Sequence, residues 1–266
     1  MKIFIDPGHG GDSIGASYKG RLEQDDTLRL SLAVRDILLT MPDTEVRLAR
    51  EGNTNPSLEK RAADANNWGA DYFLSIHRNA IGPNIAKGVE GWVYSAVTTG
   101  GETYNKAKNI VDKLCEATGF YNRGVKKGAP SYSDFAVNRL TNMSSCLLEA
   151  GFIDSDTDNA VFDKKFNEMA ESIALSVYEV AGGKRAEKEE APVTSPEEGT
   201  EDVTEGVIYT IQAAAFISRK NAENMLTMVK DAGFKDAFIS VKGDIDGDGK
   251  ITAADAAEIL RKSVGQ

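Results

Sequence analysis

KIFIDPGHGG, residues 2–11, opens with a short apolar run and closes on Pro7 and three glycines around His9. An apolar run of this length, bounded by turn residues, reads as a buried strand. Similar runs at 45–48, 71–77, 89–94 and 145–149 predict four more strands. Between them, residues 25–39, 57–68, 103–118 and 160–180 carry apolar side chains at helical spacing. Leu28, Leu30, Leu32 and Val34 also alternate, but Leu30, Val34, Ile37, Leu38 and Met41 extend a helical pattern over a length that favours helix. Strands alternating with helices of this size predict an α/β fold, with a mostly parallel twisted sheet covered by helices on both faces.

The 266-residue chain is 41% hydrophobic and 27% charged, which sets aside wholesale disorder, collagen and coiled coil. No apolar run reaches ~18 residues, so no membrane insertion is expected. Its 31 basic against 41 acidic residues give a net charge of −10, a poor balance for a nucleic-acid partner. Cys115 and Cys146 lack a CxxC spacing and read as two buried spectator thiols. The N-terminal stretch has no hydrophobic segment of signal-peptide length, so synthesis in the cytoplasm without a leader is the expectation.

Residues 184–206, KRAEKEEAPVTSPEEGTEDVTEG, hold 8 acidic and 3 basic residues and no aromatic. Such a segment buries too little apolar surface to offset ordering entropy and reads as an extended linker. It separates a main domain, 1–183, from a tail, 207–266. The tail reads as a small βαβα unit: strand 207–216, helix 218–232, strand 237–241, an acidic loop, and helix 253–262.

Only two histidines occur, His9 and His77, and both stand at the end of a predicted strand. Open α/β sheets place their binding crevice at the carboxyl ends of strands, so the two imidazoles are expected to converge. Two imidazoles and a carboxylate suit a catalytic zinc site with one position left for water. Glu23, opening the first helix after the glycine-rich turn, is the candidate third ligand. On this reading Gly8, Gly10 and Gly11 allow the backbone close to the ion. Glu149, at the end of an apolar strand, is the candidate acid/base, with burial raising its pKa and Gly151 clearing space. Asn79 is a candidate for orienting substrate or a ligand.

DPGHGG at 6–11, Glu23, SIHRNA at 75–80 and LLEAGFIDS at 147–155 together resemble the zinc-dependent N-acetylmuramoyl-L-alanine amidases of the amidase 3 type. Residues 50–66 and 135–143 resemble the stretches before that family's second histidine and final glutamate. The resemblance implies His9, Glu23 and His77 as zinc ligands and Glu149 as the group that takes a proton from water and returns it to the departing amine of L-alanine. The reaction implied is cleavage of the bond joining glycan to stem peptide in peptidoglycan. Arg78, where the family usually has a small residue, is expected to put a cation beside the metal. Ser144 replaces a common proline.

In the tail, 208–239 resemble half of a sporulation-related repeat (SPOR-type) domain, which implies peptidoglycan binding. One half leaves a strand edge unpaired, so a homodimer through the tail is expected. DIDGDGKITAAD at 244–255 follows an EF-hand loop, with Asp244, Asp246, Asp248, Asp255 and the Lys250 carbonyl as calcium ligands. It resembles a dockerin repeat, but a single copy argues against a cohesin partner. The whole reads as an endolysin or autolysin, reaching the wall after holin-type release or lysis. The competing readings are a zinc peptidase or carboxypeptidase acting on wall peptides, and a wall-binding protein with a silent catalytic half. A glycosidase pairing Glu23 with Glu149 has no use for two convergent histidines.

Overall fold

The computed structural model describes residues 1–129 and 134–184. The tail and the five expected calcium ligands lie outside the described residues, as does all of the linker beyond Lys184. The chain runs β1 (Lys2–Pro7), a small hairpin of β2 (Ser17–Tyr18) and β3 (Arg21–Leu22), α1 (Glu23–Leu38), β4 (Glu45–Leu48), α2 (Leu58–Trp68), β5 (Tyr72–Asn79) and β6 (Val89–Val93). It continues through α3 (Glu102–Thr118), β7 (Asn122–Lys127), α4 (Ala136–Leu140), β8 (Ser144–Phe152), α5 (Asp156–Lys164) and α6 (Phe166–Val180).

Six strands form one sheet in the order β4-β1-β5-β8-β6-β7. Neighbours are parallel except β6, which runs antiparallel to β8. The expected α/β architecture is therefore present. On one face, Ile3 and Ile5 of β1, Tyr72, Leu74 and Ile76 of β5, and Cys146 and Leu148 of β8 pack against apolar stripes of α1, α3 and α6. The opposite face is covered less completely. Phe4, Phe73 and Leu147 meet Ala65 of α2 and Val137 of α4, and the strand residues nearer the carboxyl ends on that face are polar. Cys115 and Cys146 are buried free thiols.

Local chemistry sets the helix ends. Ser57 accepts a hydrogen bond from the Lys60 amide to cap α2, and Gly69 closes it in the left-handed region at φ 69°. Ser155 caps α5 through the Asp158 amide, so helix begins earlier than the apolar pattern of 160–180 suggests, and a break at Lys165 divides it in two. β7, NRGVKK, has no apolar periodicity because it is an edge strand with a largely polar exposure. β8 continues past Glu149 to Phe152, so Glu149 lies within the strand and not at its end.

Candidate metal centre

The parallel register brings the two histidine strands into line. Pro7 pairs with Ile76, so His9 follows β1 at the level of His77. His77 lies two residues before the end of β5 and not at its end as expected, and it pairs with Glu149 of β8. Glu149 in turn faces Glu90 across the antiparallel β8–β6 pair. One face of the sheet thus carries a row of His77, Glu149 and Glu90, with the loop around His9 at its end.

Glu23, the first residue of α1, turns its carboxylate between the imidazoles. Its Oε2 lies 3.1 Å from His9 Nε2 and its Oε1 lies 2.9 Å from His77 Nδ1. One donor atom from each of the three residues lies within 4.8 Å of the others. The rings meet edge to face with centroids 5.0 Å apart. Backbone amides fix the carboxylate: Ala16 donates to Oε2 and Arg78 to Oε1. Burial pushes the Glu23 carboxyl upward, but the hydrogen bonds from His77 and His9 outweigh it and hold the group well below the usual carboxylate range. His77 shows the reverse balance. Burial pulls it down, and the Glu23 contact carries it up to about 8.

Glu149 is buried, and its Oε2 has no hydrogen-bond partner among the described residues. Burial raises its carboxyl to about 8, against the pull of His77. An orphaned carboxyl oxygen beside the His77 imidazole is costly unless something arrives to use it.

The glycines serve side chains. A Cβ on Gly8 would sit 2.4 Å from the His77 ring, and one on Gly15 2.5 Å from Glu23 Oε2 and 2.6 Å from the His9 ring. Gly10 and Gly11 are pressed instead against Thr54 and Asn55. The expected approach of the backbone to an ion at Gly8, Gly10 and Gly11 is thus replaced by room for the imidazole and for the neighbouring loop. Gly151 faces Phe120 and Asp158, so its expected role of clearing space beside Glu149 gives way to packing on the other side. Arg78 does not contact the cluster with its guanidinium, and its charge acts on Glu23 and Glu149 only through space. Its guanidinium is bound by Asp26 at 2.6 Å and by Asn159, and lies 4.1 Å over Phe162. Asn79 donates to Glu90 at 2.8 Å.

Several supporting residues escape a reading of the sequence. His9 has φ 60°, an uncommon conformation for a residue with a side chain. It is held there by Arg61, which donates to the His9 and Pro7 carbonyls and pairs with buried Asp6 at 2.6 Å. Arg50 donates to the carbonyls of Pro7, Gly8 and Gln24. Ser13 Oγ lies 3.1 Å from His9 Nδ1. The available signal is charge out of place: Asp6 inside an apolar strand, Arg61 on the apolar stripe of α2, and Glu90 in VEGWV.

A three-layer α/β sheet with two imidazoles and two carboxylates converging at its carboxyl edge defines a hydrolase-type centre. Residues 3–179 match the family described as N-acetylmuramoyl-L-alanine amidase, and the chain belongs to that family. It is 34% identical over 241 residues to the N-acetylmuramoyl-L-alanine amidase CwlM of Bacillus licheniformis, covering 90% of this chain and 84% of that protein. It is 31% identical to the endolysin of Bacillus phage SPP1, over 71% of this chain and 72% of that one. Among solved structures, an N-acetylmuramoyl-L-alanine amidase from Clostridium difficile 630 superposes with TM-score 0.62 at 31% identity, covering 68% of this chain and 98% of that chain. The catalytic domain of CwlV from Bacillus (Paenibacillus) polymyxa var. colistinus gives 0.61 at 32%, covering 69% and 99%. The protein is an amidase that hydrolyses the amide bond between N-acetylmuramic acid and L-alanine in peptidoglycan.

Proposed function

We propose that His9, Glu23 and His77 hold a zinc ion and that Glu149 is the catalytic acid/base. The donor set supports this: two imidazole nitrogens and a carboxylate oxygen are the usual ligands of catalytic zinc, and in tetrahedral geometry they stand about 3.3 Å apart. The 3.1 and 2.9 Å separations need only small adjustment to reach that spacing. In the tautomer whose Nδ1–H donates to Ser13 Oγ, His9 would offer its Nε2 lone pair to a metal in place of the contact with Glu23. Zinc bound here would supply Lewis-acid chemistry, acidifying a water and offsetting charge on the carbonyl oxygen.

The chain's own part is proton handling. Glu149 takes the proton from the attacking water and delivers it to the nitrogen of L-alanine as the amide breaks. Its unpartnered Oε2 is the observation that carries this reading. The decisive experiment is digestion of purified walls with and without chelator. Amidase action frees new L-alanine amino termini and no reducing sugars, and zinc restores it after chelation. Reducing ends, or full activity in chelator, would overturn the reading.

Residues 184–206 are proposed as an acidic linker and 207–266 as a wall-binding βαβα tail, with calcium bound at Asp244, Asp246, Asp248, Lys250 and Asp255. The match to CwlM supports a shared tail, since its 241 residues extend beyond the family match at 3–179. Dimerisation through the tail predicts a two-subunit mass for the full chain at high concentration. Release to the wall by lysis or through holes made by another protein completes the proposal, which the similarity to a phage endolysin supports.

A further inference from the structure

Beyond Glu149 the polar row continues into a cluster that the hydrolytic reaction does not use. Glu90 is buried, with its side chain 2% exposed, and is fully engaged. Its Oε1 accepts from Asn79 Nδ2 at 2.8 Å and Trp92 Nε1 at 2.9 Å. Its Oε2 accepts from Arg123 Nε at 2.6 Å and Lys126 Nζ at 2.5 Å. Burial alone would raise this carboxyl, and the bonds from Lys126, Arg123 and Trp92 hold it below the usual carboxylate range.

Two cations therefore share one anion. Among the described residues neither pairs with a second acid. Arg123 adds a long contact to the Lys87 carbonyl and lies 4.9 Å over the Phe152 ring, and Lys126 lies over the Trp92 ring at 5.2 Å. Their side chains are 27% and 35% exposed, so donors remain available to solvent. The arrangement depends on a break in the pleat. Residues three apart on a regular strand point to opposite faces. Here Val89 to Gly91 on β6 faces Asn122 to Val125 on β7, one residue longer, and Gly124 sits at φ 73°. This bulge lets Arg123 and Lys126 reach the same carboxylate.

Resting on the proposed function, we infer that Arg123 and Lys126, yoked by Glu90, form an anion subsite beside Glu149 that takes a carboxylate on the peptide side of the substrate. The chemistry of the substrate selects the peptide. The muramic carboxyl is consumed in the scissile amide, and hydroxyl and N-acetyl groups are neutral. A carboxylate replacing water here gains charge-assisted hydrogen bonds and leaves no buried charge unpaired.

The test uses two soluble muramoyl-peptides that differ only in a carboxylate or carboxamide on the residue after L-alanine. Binding is measured by calorimetry to the full-length Glu149→Gln protein, independently of turnover. The carboxylate form should bind about tenfold more tightly. Adding Lys126→Met should collapse that ratio towards one, and Lys126→Arg should retain it. Equal binding of the two peptides, or a ratio that survives Lys126→Met in a protein whose melting shows it folded, overturns the subsite. Hydrolysis of either peptide by the unaltered protein reports separately on the function, so the two readings fail in different experiments.

Discussion

Glu149 and His77 make the same demand on pH, and Glu23 makes the opposite one. Burial lifts Glu149 from 4.5 to about 8. A carboxyl raised in the folded state contributes stability that is complete below about 4.5 and is lost as pH climbs through about 8. His77, raised from 6.5 to about 8, loses its contribution in the same direction over that narrower window. Glu23, held low, contributes above its usual value and loses that only in strong acid. With chelator present, the melting temperature should therefore fall between ~pH 5 and ~pH 8, and Glu149→Gln should flatten that fall. An unaltered slope in the variant would contradict burial as the cause. The same substitution should lower kcat by about 10²–10⁴-fold, measured by release of L-alanine amino termini.

The loop between β1 and α1 matters because its carbonyls and glycines are held from outside it. Arg61, 2% exposed and paired with Asp6, is the main strut. Arg61→Met strands a buried carboxylate and should cost about 3–5 kcal/mol, read from the denaturant midpoint. Gly8→Ala places a methyl 2.4 Å from His77 and must displace the ring. It should cost about 1–3 kcal/mol and reduce the zinc retained after dialysis, whereas Gly52→Ala, with open space around it, should retain the metal. Equal zinc content in the two variants would show that the glycine does not hold the imidazole's position.

For the whole chain, the structural relatives are informative because they match only part of it. The Clostridium difficile structure covers 68% of this chain while being itself covered over 98% of its length, so the catalytic part corresponds to a complete unit there. Residues 1–184 alone should hydrolyse soluble muramoyl-peptides and sediment less with purified walls than the full chain does. Equal sedimentation would remove the targeting role of the tail. Melting of the full chain in chelator should show a transition that calcium, and not zinc, moves back up.

The amino-acid sequence determined the alternation of strands and helices, the position of His9 and His77 near the carboxyl ends of their strands, and the candidacy of Glu23 and Glu149, because these follow from local periodicity, turn residues and a short run of motif. The edge strand β7 and helix α4 were hidden, since neither carries a hydrophobic period strong enough to read. Tertiary structure alone decided that Arg78 turns away to Asp26, that Gly8 shelters an imidazole, and that Arg61 and Arg50 brace the loop. It also placed Glu90 beside Glu149. Those outcomes depend on strand register and on two bulges, in the β5–β8 and β6–β7 pairs, which join residues tens of positions apart, and no local pattern encodes which face a side chain takes once the pleat is broken.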